Sequence, residues 1–174
     1  MKCITQFLSV FLIVLVAVSS HAQLLPDNNN LNVQSVNRWM KSNRDMAPLI
    51  QAIDARHLTP ESFKTFEALS SIEQDQYIEL VLREENLLGQ ADSIVRQYGW
   101  KSVGEYMRLS TKLGNAIAAY FLFGDLGKVT EDQAKQLKEK ADPAVLAVSQ
   151  ADIDFIRRNE KTLQQYIQAY GAGR

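Results

Sequence analysis

The chain has 174 residues, 46% of them hydrophobic, with 19 basic and 20 acidic side chains and a formal charge of −1. That length suits one domain able to bury roughly 70% of its unfolded surface, and the near-neutral balance gives no electrostatic case for nucleic acid or an anionic membrane as partner. One cysteine excludes a disulfide within the chain, and two histidines leave little for a zinc site.

Residues 1–22 carry the layout of a secretory signal peptide. Lys2 supplies the positive start, Phe7 to Val18 is apolar except for Ser9, and Ser20-His21-Ala22 puts small residues at the −3 and −1 positions of a cleavage site. The apolar run is short for a membrane span, which needs about 20 residues. Cleavage is expected after Ala22, with Ser20 as the second choice. Cys3 precedes the apolar run, so it is not a lipoprotein cysteine and leaves with the leader. The mature chain then lacks cysteine and keeps one histidine, which removes thiolate chemistry, cysteine metal sites and multi-histidine zinc sites. Without disulfides or an Asn-x-Ser/Thr acceptor, it fits a bacterial exported protein, periplasmic in the first instance and extracellular in the second.

Residues 23–30, polar with Pro26 and three asparagines, predict a flexible segment that ends in a helix cap. A helix is predicted over about 31–46, with Val33, Val36, Trp39 or Met40, and Met46 or Ala47 on its apolar side. Pro48 either kinks it or opens a second short helix carrying Leu49, Ile50 and Ile53. Thr59-Pro60-Glu61 starts the next helix, with Phe63, Phe66 and Leu69. Ser70 and Glu73 stand at capping-box spacing. The helical run that follows, to Tyr98, places Ile72, Ile78, Val81, Leu82, Leu88, Ala91, Ile94 and Val95 at helical period, with Gly89 as the candidate break and Gly99 as the stop.

Ser102 and Glu105 open a helix whose face is Val103, Tyr106, Met107, Leu113, Ile117, Tyr120 and Phe121. Gly114, Ala116, Ala118 and Ala119 favour close helix packing, and Gly124 ends it. Thr130 and Gln133 cap a charged helix to about Lys140, and Asp142-Pro143 restarts a short piece with Val145, Leu146 and Val148. Ser149 or Ala151 precedes a last helix with Ile153, Ile156, Leu163, Ile167 and Tyr170, and residues 171–174 fray. No segment alternates like a strand. The expectation is an all-α protein: a single compact helical domain over residues 31–170, of about six to eight helices, antiparallel where loops are short.

Candidate chemistry is sparse. His57 with Asp54 or Glu61 is an acid/base or metal-ligand pair on one reading, and a histidine favoured by a helix C-terminus on the other. Glu73, Asp75, Glu79, Glu84 and Glu85 form an acidic group, but no Glu-x-x-His accompanies them, so a di-metal centre of that design is not expected. A solvated face with a Glu79–Arg83 pair is. The Gly-x-Ser-x-Gly, Ser-x-x-Lys and phosphate-loop patterns are missing.

Leu58-Thr59-Pro60-Glu61-Ser62 and Val129-Thr130-Glu131-Asp132-Gln133 resemble the Leu-Thr-x-x-Gln motif that occurs twice in small periplasmic helical chaperones and stress regulators of the Spy/CpxP type. Ser62 and Val129 depart from it, the two copies cover ten residues, and helix capping accounts for the same pattern. The chain is not assigned to that family. The sequence therefore points to a non-enzymatic helical protein acting through another protein, chaperone-like or accessory, with Tyr120, Phe121 and Phe123 as contact residues. The alternatives are a carrier of an apolar small molecule held around Met107, Ile117 and Phe121, and a hydrolase or metalloenzyme using His57. No cofactor is expected.

Overall fold

In a computed structural model, residues 30–56, 60–126 and 129–172 are described. The leader, residues 23–29 and His57 lie outside them. The described residues hold nine helices and no strand, an all-α fold: α1 Val33–Asp54, α2 Pro60–Glu67, α3 Ser71–Glu84, α4 Leu88–Tyr98, α5 Val103–Leu126, α6 Glu131–Lys140, α7 Pro143–Leu146, α8 Gln150–Arg158 and α9 Glu160–Ala172. No described helix is long and apolar enough to cross a membrane. The described residues divide into two compact units, 33–111 and a second formed by residues 30–32 together with those from 112 onward.

In the unit 33–111, α1 packs on α3 and α4, and α3 packs on α4. Pro48 neither ends α1 nor starts a new helix. A proline forgoes the bond to the carbonyl four residues back, yet Met46, Leu49 and Ile53, on both sides of it, are wholly buried. Burying each such side chain stabilises by about 1.5–3 kcal/mol, which outweighs one lost helical hydrogen bond. The core-facing alternatives are Trp39 rather than Met40 and Met46 rather than Ala47.

The run 71–98 is broken, but not at Gly89. Asn86 adopts φ 60°, its N–H donates to the Arg83 carbonyl (3.1 Å), and Leu87 N–H donates to the Leu82 carbonyl (2.7 Å). This pair of bonds is a Schellman closure, and asparagine is the residue after glycine that best tolerates the left-handed conformation it requires. Gly89 sits in the first turn of α4, exposed, with open space where a Cβ would stand. The second closure, at Gly99 (φ 70°), has the same form: Gly99 N–H to Arg96 and Trp100 N–H to Val95. Ile72 lies outside the core, 72% exposed.

Most starts form as the sequence predicts. Ser70 with Glu73 and Thr130 with Gln133 make complete capping boxes. Asp142 caps α7 with Pro143 at its first position, and Ser149 caps α8. At α5, Ser102 Oγ accepts from Glu105 N–H (2.9 Å), while Glu105 Oε2 accepts from Lys101 N–H, one residue earlier than a regular box (2.6 Å).

In the second unit, Leu113, Ala116, Ile117, Ala118, Ala119 and Leu122 of α5 are buried, as are Ile153, Phe155 and Ile156 of α8 and Leu163 and Ile167 of α9. The last predicted helix is two: Asn159 interrupts it, its Nδ2 donating to the Phe155 carbonyl (2.8 Å), before α9 continues to Ala172, past Gly171. One buried carboxylate organises the entry of the chain. Asp152, 4% exposed, accepts from Leu31 N–H (2.6 Å) and Ser149 Oγ (3.0 Å) and lies 3.5 Å from Lys112 Nζ.

Candidate interaction surface

Two aromatic groupings among the described residues bear on the candidate surface. The first, in the unit 33–111, is a polar and aromatic cluster in which α1 meets α4 and the first half of α5. Trp39 and Tyr106 stack (6.3 Å between centroids), and Trp100 meets Tyr106 edge-on (5.5 Å). The Arg38 guanidinium lies 3.9 Å from the centre of the Trp100 ring, donates to the Gly99 carbonyl (2.6 Å) and pairs with Glu105 (3.2 Å). Each ring's polar atom is met. Trp39 Nε1 donates to Ser110 Oγ (2.6 Å), Trp100 Nε1 to Ser42 Oγ (3.0 Å), and Tyr106 Oη to Asn43 Oδ1 (2.7 Å). Ser42 Oγ in turn donates to the Arg38 carbonyl (3.1 Å). Tyr98 Oη donates to Asp45 (2.6 Å), and that hydrogen bond, aided by burial and the Asp45 charge, holds the phenol above its ordinary range. Buried donors with partners stabilise a core, so this cluster is packing, with its chemistry used internally.

The carboxylates flagged by sequence are spoken for in the same way. Glu73 caps α3, and its hydrogen bonds from Ser70 hold its carboxyl below the usual range. Asp75 takes the Arg108 fork, Nη1 to Oδ1 at 2.9 Å and Nη2 to Oδ2 at 3.3 Å. Glu79 pairs with Arg83 (2.7 Å), the i,i+4 pair expected from spacing. Glu84 and Glu85 share Arg56, at 3.0 and 2.7 Å. No three carboxylates or histidines converge to hold a metal among the described residues. Asp54 is different. Burial pushes its carboxyl up to about 6. Its sequence partner His57 lies outside the described residues.

The second setting is the end of α5, in the other unit. Tyr120 and Phe121 are half-buried, with ring centroids 5.6 Å apart and planes at 66°. Phe123 is 36% exposed, while Leu122 between them points inward at 5%. Burial first, then the charge and hydrogen bond of Glu160, raise the Tyr120 phenol above its ordinary range; Arg157 opposes the shift. Tyr120, Phe121 and Phe123 thus lie within about one turn near the end of α5, with Tyr120 against Glu160 of α9. Ile117, one turn earlier, is fully buried at 0% and belongs to the core. Met107 is half-buried and belongs to the unit 33–111, whereas the three rings belong to the other unit. A shallow open groove runs along α6, lined by Glu131, Ala134, Lys135, Lys138 and Glu139, without an aromatic side chain.

Sequence reasoning named the three rings and Asp54, but not Asp152 or the polar partners on α1. One signal was available for the last group: tryptophan and tyrosine, once buried, demand a partner for the N–H or O–H. No protein-family model matches the chain, and no curated protein or solved structure is significantly similar to it.

Proposed function

We propose that this is an exported, periplasmic helical protein that acts by binding another protein, with Tyr120, Phe121 and Phe123 as the contact residues. The observation that carries the reading is the partial exposure of three aromatic rings at one end of α5, where Phe123 stands 36% in water. Aromatic anchors of this kind supply much of the energy of protein interfaces. The leader pattern in residues 1–22 supports export.

The test is a triple substitution, Tyr120→Ala with Phe121→Ala and Phe123→Ala, in protein expressed with its leader. Partners are captured from periplasmic extract beside wild type and identified by mass spectrometry, and folding is followed by circular dichroism. A partner lost from an intact variant supports the proposal, and an unchanged partner set with an intact fold overturns it. Fractionation and N-terminal sequencing test the export arm: the mature protein is expected in the periplasm, beginning at Gln23.

A further inference from the structure

We draw no further inference here: the strongest candidate, the pair of exposed apolar side chains Ile72 and Leu80 on α3, is an unpartnered apolar face and nothing in the structure shows what covers it.

Discussion

Replacing Gly104 by alanine sets two opposite effects against each other at one atom. Gly104 lies in the first turn of α5, and in a helix alanine is favoured over glycine by about 1 kcal/mol. Here the added Cβ overlaps Asp75 Oδ1 and stands 2.9 Å from Arg108 Nη1. Asp75 has a short side chain, so to make room its carboxylate must withdraw from both partners. It then gives up the Arg108 fork, worth about 1 kcal/mol for a part-exposed bidentate pair. It also gives up the hydrogen bond from Ser102 Oγ, 3.1 Å long, worth about 1 kcal/mol, and its place at the positive end of α5, worth about 0.5 kcal/mol. After subtracting the alanine gain, Gly104→Ala is expected to cost about 1.5 kcal/mol. Urea unfolding reads this as a midpoint lowered by about 0.5–1 M at unchanged slope. Gly114, in the same helix with open space at its Cβ position, is the control: Gly114→Ala is expected to stabilise by about 0.5–1 kcal/mol. In an Asp75→Ala background the clash is gone, and Gly104→Ala is expected to become neutral or stabilising. A Gly104→Ala protein as stable as wild type, or one equally destabilised with Asp75 already removed, refutes the reasoning.

Ser42→Ala leaves the buried Trp100 Nε1 without its acceptor and is expected to cost about 1–3 kcal/mol; if Trp100→Phe in that background costs as much as in wild type, the two are not coupled. Asp152→Ala removes the acceptor of Leu31 N–H and the counter-charge of Lys112, with an expected loss of about 2–3 kcal/mol by denaturant unfolding, and a loss below about 0.5 kcal/mol counts against an organising role for Asp152. Asp54 has a folded-state pKa of about 6 against an ordinary 3.8, so the folded protein holds this proton more tightly than the unfolded chain. Stability from this group is therefore full below pH about 3.8 and is lost as pH rises towards 6. The full shift corresponds to about 3 kcal/mol, reduced to about 1 kcal/mol because the side chain still meets water. Asp54→Asn is then expected to stabilise at pH 7.5 and to leave stability unchanged at pH 3.5; an equal effect at both values removes the linkage.

Local signals were legible in the sequence and tertiary ones were not. Ser70, Thr130, Asp142, Ser149 and Gly99 act within one turn of their own position, so their effect is written in the adjacent residues. The break at Asn86 was missed because a left-handed asparagine has no fixed signature, while Gly89 offered a stronger but unused one. The course of α1 through Pro48 depends on what Met46, Leu49 and Ile53 bury against, which periodicity does not contain. The same applies to Ile72, whose spacing matches a core position but whose side faces water. At the candidate surface the sequence supplied the apolar residues of α5, and the fold sorted them into inner and outer ones. Ile117 and Leu122 turn inward, and Tyr120, Phe121 and Phe123 keep part of their area outside.

The difference between the two aromatic settings also sets how large the proposed interface must be. In the cluster of Trp39, Trp100 and Tyr106, every polar atom is used inside the unit, so none is left to recruit a partner. Phe123 has no polar atom, and its 36% exposure on a side chain of about 200 Å² leaves roughly 70 Å² to cover, worth about 2 kcal/mol. Association itself costs upwards of about 4 kcal/mol. Phe123 therefore does not hold a partner alone, and a stable complex needs Tyr120, Phe121 and a surrounding area of order 800 Å² per side. It follows that Phe123→Ala by itself is expected to weaken binding roughly 20-fold, at about 1.4 kcal/mol per tenfold. The triple substitution is expected to abolish it. Equal losses from both would place the whole contact on Phe123, against this arithmetic.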